Sequence, residues 1–465
     1  MNLSTLPAFP TVSVIVNTLN RVRSLENTLL GLLQLRYPNF EIIVVCGPCT
    51  DGSLAMLERY REDIRIAVCP EANLSVSRNL GLNLARTELV AFIDDDSIPE
   101  PDWLDRLVEG LSASGAAAVG GFIRDNRGFA YQHRIVTANR LGEARDRPPP
   151  GEPLGPDEFV SPTGTNICFR REPLLDIGGF DEEFGYFLEE TDVNLRLHER
   201  GWSISYAPEA EVQHYFLENQ MRSRGRVPRS LYQIARSKAY FCWTHGRGRY
   251  PDSTIQQRLN GFRAQQRRNL WWFALTGRLS RSDTHRLIGE IDRGFADGAR
   301  TAAAASSERL TPRTVDARHE PPRPFAEEQN GSRRPRLCWI EGHKAKAPSD
   351  LPVAMVGLDH EVTMISPAKS GATAVRFDGV WRHRLGPGAR PGYRLWERYE
   401  RAAAREVGRI QPRRRFDFVF CADADRAAFA PLSQLGINVV AAAETPHTPR
   451  ELDCFVRSAL ASKPT

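Results

Sequence analysis

No hydrophobic run in these 465 residues approaches the ~20 that a membrane-spanning helix needs. The opening, MNLSTLPAFPTVSVIV, lacks a basic stretch followed by a long apolar core, so no secretory leader is expected. Cysteine is sparse, and of eight only Cys46 and Cys49 are close in sequence, which excludes the dense disulfide framework of a small secreted domain. The expectation is therefore a cytoplasmic protein with reduced thiols. A charge excess is missing too. The balance of 62 basic against 57 acidic residues leaves +5, which demands neither nucleic acid nor membrane as partner. No internal repeat is found. What remains is a globular composition, 26% charged and 41% hydrophobic, long enough for two or three domains.

The first quarter alternates strand and helix signals. TVSVIVNTLNR, FEIIVV, IRIAVC and LVAFID read as buried strands, and SLENTLLGLLQL, SLAMLERYRE and LSVSRNLGLNLAR as helices between them, the first opened by Ser24 as N-cap. Such alternation predicts a largely parallel α/β sheet, whose ligands bind at the carboxyl ends of the strands. The polar clusters Asn17–Arg21, Cys46–Ser53 and Asp94–Asp96 fall at those ends. Further on, RDRPPPGEPLG (145–155) reads as a loop and residues 297–336 as a linker. From Leu337 an α/β rhythm resumes, with strands in RLCWI, HEVTMIS, FDFVF and INVVAAA and helices in YRLWERYERAAAREVGRI and RELDCFVRSALA.

Cys46-Gly47-Pro48-Cys49 has the spacing of a thioredoxin redox centre. Such a site opens a helix, whose N-terminus acidifies the first thiol. Here Thr50-Asp51-Gly52-Ser53 intervenes, Val45 stands where a tryptophan is usual, and the nearest proline able to face the pair is Pro70. Two ordinary thiols in a turn are the better reading.

Asp94-Asp95-Asp96 ends an apolar strand, and three successive carboxylates repel one another unless a cation sits among them. Hard oxygen ligands suit Mg²⁺ or Mn²⁺, which can neutralise a departing diphosphate. Standing alone, the triplet could equally be a solvated acidic loop. About ninety residues later GGFDEEFGYFLEETDVNLRLHERGW sets Glu189, Glu190 and Asp192 at the start of an amphipathic helix, where the dipole favours carboxylates and one left partly desolvated can act as a general base. The plainer reading there is helix capping.

Taken in order, VSVIVNTLNR, EIIVVCGPCTDGS, NLSVSRNLGLNLA, LVAFIDDDSIPEPDWL, GTNICFRRE, IGGFDEEFGYFLEETDVNLRLHERGW and APEAEVQHYF give a chain that resembles the family 2 glycosyltransferases of the GT-A fold over roughly residues 10–245. The resemblance implies that Asn17, Leu19 and Arg21 line the nucleotide base and that Arg78 and Asn79 lie near the nucleotide. It further implies that Asp94 and Asp96 form a DxD pair around Asp95, Asp96 being the more direct metal ligand and Asp94 nearer the ribose. By the same resemblance Asn166, in Gly164-Thr165-Asn166, flanks donor sugar and acceptor, His214 completes the metal shell, and Glu190 is the preferred base, before Asp192 and Glu189. Cys46 replaces an aspartate that in many relatives bonds the uracil ring; Asp51 is retained. A thiol accepts poorly from a ring N–H, so the CGPC turn is read as a variant base-holding turn. Tyr186 could border the acceptor, whereas Trp103, Leu104, Phe180 and Phe184 read as core.

The implied division is a GT-A domain at 1–250, a helical segment and linker at 251–335, and a small α/β accessory domain at 336–465 that weakly resembles half of a GT-B nucleotide-binding fold. The implied reaction is metal-dependent, inverting transfer of a sugar from a nucleotide donor to a saccharide or lipid-linked acceptor, with Mn²⁺ or Mg²⁺ as cofactor. Arg222, Arg224, Arg226 and Arg229, followed by Tyr232, Tyr240, Phe241 and Trp243, and Arg267-Arg268 before Trp271-Trp272-Phe273, have the composition of a peripheral contact at the inner face of a membrane, or of a solvated basic face over an aromatic core. No nucleic-acid module is recognised. The rivals are a sugar nucleotidyltransferase, which typically carries a glycine-rich loop that NTLNRVRS lacks, and a non-catalytic nucleotide-sugar-binding scaffold, which eroded acids would have favoured.

Overall fold

The computed structural model describes residues 6–147, 153–223, 225–304, 334–341, 351–368, 372–385, 394–421, 429–435, 437–441 and 448–461. The proline-rich positions 148–152, Arg224 and residues 305–333 of the expected linker lie outside them.

Continuous apolar runs become the central strands. β1 (Val12–Thr18), β2 (Phe40–Cys46), β3 (Arg65–Val68) and β4 (Leu89–Asp94) pair in parallel, with α1 (Val22–Leu32), α2 (Ser53–Leu57) and α3 (Leu74–Leu84) as crossovers. Because both faces are covered, nearly every residue of β1, β2 and β4 is buried, which is why these strands read as unbroken hydrophobic stretches. α1 starts at Val22 rather than at Ser24: the Val22 amide is capped at 2.8 Å by Asp51 Oδ2, a partner 29 residues away that local sequence does not reveal.

The sheet continues through β5 (Ser97–Pro99), α4 (Trp103–Ser114), β6 (Ala118–Arg124), β7 (Tyr131–His133), and a three-stranded sheet of β8 (Ile135–Asn139), β9 (Ala144–Arg147) and β10 (Glu158–Val160). Then come β11 (Ile167–Arg170), α5 (Arg171–Asp176), α6 (Glu189–Glu199) and β12 (Ile204–His214). The order β3-β2-β1-β4-β11-β6-β12-β5, with β7 on β6, makes a nine-stranded, mostly parallel sheet. β6 and β12 approach closely because Gly121 has no side chain; a Cβ there would meet Ala210 O at 1.8 Å.

α7 (Tyr232–Gly246), α8 (Asp252–Leu275) and α9 (Arg281–Ala304) follow as a helical bundle. α9 runs to Ala304, so positions 297–304 of the expected linker are helical. Its Gly294 and Gly298 let it lie against α7, where a Cβ would come within 2.5 and 2.2 Å of backbone oxygens. Tyr240 and Phe241 on α7 are core, which settles that part of the basic-aromatic segment as packing. Among the described residues no helix is long and apolar enough to cross a membrane.

A second sheet is built from β13 (Arg336–Ile340), α10 (Leu351–Gly357), β14 (Glu361–Pro367), β15 (Thr373–Phe377), β16 (Val380–Leu385), α11 (Arg394–Arg414), β17 (Phe418–Cys421), α12 (Ala430–Ser433), β18 (Asn438–Ala441) and α13 (Pro449–Ala461), in strand order β15-β16-β14-β13-β17-β18. The hairpin β15–β16 was not read from sequence. It also touches the first unit: Tyr215 Oη accepts from Arg376 N at 2.6 Å, and Arg376 Nη2 donates to Leu30 O of α1 at 2.7 Å. From the end of α11, Arg413 pairs with Glu211 and Arg414 with Glu100 at 3.2 Å. Arg414 also lies 2.8 Å from His383 Nε2 and 4.1 Å over the Trp381 ring.

Burial pushes the Glu100 carboxyl up, but the Arg414 charge and hydrogen bonds, backed by Arg413 and His383, outweigh it and bring the group from 4.5 down to about 2. A depressed carboxylate stabilises the fold above its unfolded value and loses that contribution as pH falls through the folded one. Glu100→Ala should cost about 3–5 kcal/mol at neutral pH, because it leaves a buried guanidinium uncompensated. Urea unfolding of both proteins should show the gap full above pH 4.5 and closing as pH falls toward about 2.

Candidate active site

The carboxyl ends of β1 and β4, the turn into β5, the end of β12 and the first turn of α6 surround one cavity of about 550 Å³. Asn17, Leu19, Arg21, Arg78, Asp94, Asp95, Asp96, Glu189, Glu190 and His214 all line it. Residues nearly a hundred positions apart meet there because parallel strands point their carboxyl ends the same way.

The aspartates have different surroundings. Asp95 is tied at 2.7 Å to both Thr18 Oγ1 and Arg21 Nη1; burial, with the Asp96 charge adding to it, outweighs those contacts and pushes its carboxyl up to about 6. Asp96 is buried as deeply. The hydrogen bond and charge of His214, then Arg21 at 3.0 Å and the Leu217 amide at 2.8 Å, overcome that burial and hold it well below the usual carboxylate range. His214 Nε2 sits 3.2 Å from Asp96 Oδ1, and its Nδ1 lies 3.0 Å from Gln132 Oε1. In the neutral imidazole, by contrast, Nδ1 donating to Gln132 would leave the Nε2 lone pair turned to the carboxylates and open to a cation. Asp94, Asp96 and His214 each offer a ligand atom, all within 4.8 Å of one another. Two carboxylates and an imidazole fit a hard or borderline divalent ion, while Asp95, spent on Thr18 and Arg21, is left as support.

On the facing side, Phe187 and Leu188 both take left-handed backbone conformations, φ 77° and 68°, immediately before α6. Such residues cost of order 1–3 kcal/mol each and concentrate at functional sites. This turn brings Glu189 and Glu190 into the cavity lining. Arg78 Nη1 pairs with Glu189 Oε1 at 3.1 Å and its other terminal nitrogen is 3.9 Å from Asp94, so one guanidinium spans the two acidic groups. Glu189 Oε2 is buried without a hydrogen-bond partner. Gly164 makes room for Arg78; a Cβ there would lie 2.3 Å from the guanidinium. Burial and then the neighbouring Glu189 push the Glu190 carboxyl up to about 8, with Arg78 opposing. An acid that gains a proton this easily has the properties of a general base.

Five expected site residues lie outside the cavity lining. Asn166 spends its amide on the protein: its oxygen accepts from Trp103 Nε1 at 2.8 Å and its nitrogen donates to Ala210 O at 2.8 Å and Phe122 O at 3.1 Å, clamping α4, β6 and β12. Asn79 similarly joins α3 to Phe180 O and Glu182. Asp192, second choice as base, is held below the usual range because Arg196 and His245, at 2.8 Å, outweigh its burial; it ties α6 to α7. Asp51 caps α1 and bonds Ser53. Cys46 is 1% exposed, a free thiol hydrogen-bonded to that of Cys49, and from this turn it is the neighbouring Gly47 that reaches the cavity. Conversely, Thr18 and Gln132 went unread; nothing local marks either, since each acts on a residue about 80 positions away. Tyr186 does line the cavity, where Arg222 Nη1 donates to its hydroxyl at 3.2 Å.

The first half of the chain is similar in sequence to known proteins. The sequence model described as Glycosyl transferase family 2 matches residues 13–178. The glucosyl-dolichyl phosphate glucuronosyltransferase of Haloferax volcanii is 29% identical over 246 residues, 48% of this chain and 74% of that one. The succinoglycan biosynthesis protein ExoM of Rhizobium meliloti is 28% identical over 265 residues, 54% and 76% of the two chains. Among solved structures, a mannosyltransferase from Pyrobaculum calidifontis in complex with GDP-Man and Mn²⁺ is similar with a TM-score of 0.36 and 18% identity, over 66% of this chain and 79% of that one. The part of the chain that begins at β1 and carries the aspartate triplet is thus similar in sequence to the family 2 glycosyltransferases.

Proposed function

We propose that the protein transfers a sugar, with inversion, from a nucleoside-diphosphate donor to a hydroxyl of a saccharide or lipid-linked acceptor. The observation that carries the reading is that Glu190 and the Asp94–Asp96–His214 group line the same cavity. The relatives' names support it, one a glucuronosyltransferase and the other a polysaccharide biosynthesis protein.

Asn17, Leu19 and the backbone at Gly47 would receive the base, and Arg21 would hold Asp95 and Asp96 in place against their mutual repulsion. Asp94, Asp96 and His214 would hold Mn²⁺ or Mg²⁺, which when bound neutralises charge on a departing diphosphate. Glu190 would take the proton from the acceptor hydroxyl as the oxygen attacks the anomeric carbon from the face opposite the leaving group. Glu189 and Arg78 would position it, one by raising its proton affinity and the other by fixing Glu189. A sugar nucleotidyltransferase and a non-catalytic scaffold are separated from this reading by one assay. Nucleoside diphosphate released from a panel of nucleotide sugars with Mn²⁺ supports transfer. Release of pyrophosphate would point to nucleotidyl transfer, and donor-induced thermal stabilisation without any release would point to a scaffold.

Glu190→Gln should lower turnover by roughly 10²–10⁴-fold while leaving donor affinity near wild type, as steady-state rates and calorimetry would register. Since the base works only when deprotonated, kcat/KM should rise with pH through about 8 rather than level off near the 4.5 of an ordinary glutamate. Asp96→Asn should remove most Mn²⁺-dependent donor binding, leaving calorimetric titrations with and without Mn²⁺ nearly superimposed; an undiminished Mn²⁺ effect would overturn its assignment.

A further inference from the structure

α8 buries only Ile255, Leu259 and Leu270 among its 24 residues, and its final turn turns outward. Trp271 is 40% exposed, Trp272 53% and Leu275 85%. This end of the hairpin is well formed. Arg278 N bonds Phe273 O at 2.9 Å and Gly277 N bonds Ala274 O at 3.1 Å, the paired closure of a helix that ends on a left-handed glycine. The exposed rings therefore sit on a defined scaffold. Arg268 lies one helical turn before the tryptophans, Arg278 packs on Trp272 and Arg281 opens α9; all three are exposed and without an ion-pair partner among the described residues. The nearest carboxylate in sequence, Asp283, is taken by Arg286 at 3.1 Å.

The tip also connects to the cavity. Arg278 packs over Phe273 at 4.8 Å and Trp272 at 5.7 Å and donates to the carbonyl of Gly225. From that loop Arg226 and Arg222 stack over Phe216, at 4.4 and 3.7 Å, and Phe216, Met221 and Arg222 line the cavity.

We propose that the α8–α9 tip docks on a bilayer carrying anionic lipid headgroups, and thereby presents the cavity to an acceptor held in that surface. The purpose of the docking rests on the glycosyltransferase reading; the docking itself does not. Tryptophan favours the headgroup layer, where its ring is buried and its N–H stays wet, and arginines free of carboxylates are drawn to anionic lipid. A protruding leucine beside them suits the acyl boundary and offers nothing to a nucleic acid.

The test is co-sedimentation of the full chain with vesicles of phosphatidylglycerol and phosphatidylcholine, and with phosphatidylcholine alone. Binding should require phosphatidylglycerol, weaken with salt, and fall by roughly tenfold or more in Trp272→Ser with Leu275→Ser, and in Arg268→Glu with Arg281→Glu. Release of nucleoside diphosphate from a soluble donor should be unchanged in both variants. Absence of vesicle binding, equal binding to phosphatidylcholine alone, unaltered binding by the variants, or loss of RNA binding rather than vesicle binding in them would each overturn the docking. A chain that sediments with vesicles yet turns over no donor would instead overturn the proposed function and leave the docking standing.

Discussion

Like-charge repulsion at the carboxyl edge of the first sheet is the constraint to which the rest of the molecule answers. Six carboxylates line the cavity against three guanidinium groups. Water alone would screen such a cluster on a surface, but Asp95, Asp96 and Glu189 are buried, and burial makes each uncompensated charge expensive. The chain answers in three ways. Arg21 is committed to Asp95 and Asp96, Arg78 to Glu189, and His214 closes the remaining side, forming with Asp94 and Asp96 a donor set suited to a divalent ion. The excess negative charge is thus a reason for the cavity to attract a cation and, with it, an anionic diphosphate.

The same arithmetic separates the two glutamates. Glu189, paired with Arg78, remains a charged neighbour; Glu190, desolvated by burial and set beside that charge, acquires a high proton affinity. Two adjacent carboxyl groups in one helical turn are driven to different roles by their surroundings, and the left-handed pair Phe187–Leu188 is the backbone cost of bringing both inward.

Much of this architecture was legible because it is written in local pattern. Unbroken apolar strands separated by amphipathic helices announce a covered parallel sheet, and acids at a strand end announce a charged pocket. What escaped reading depends on partners distant in the chain. Asn166 was expected at the donor because it follows Gly164 and Thr165, yet Trp103 and Ala210 claim its amide. Asp192 stood second to Glu190 as base, and His245 and Arg196 close on it. Gln132, which orients His214, sits on a three-residue strand with no periodic signal. A short polar side chain can serve substrate or scaffold equally well, and only tertiary neighbours decide between them.

β12 belongs to two neighbourhoods at once: His214 faces the aspartates, while Glu211, and Tyr215 just past the strand's end, are bound by groups of the second sheet's unit. That shared strand limits how freely the halves can be recombined in evolution or by engineering. A graft that replaced the second unit with an unrelated one would strip Glu100 of Arg414 and leave Glu211 to Arg124 alone, so a successful swap must import an arginine equivalent to Arg414.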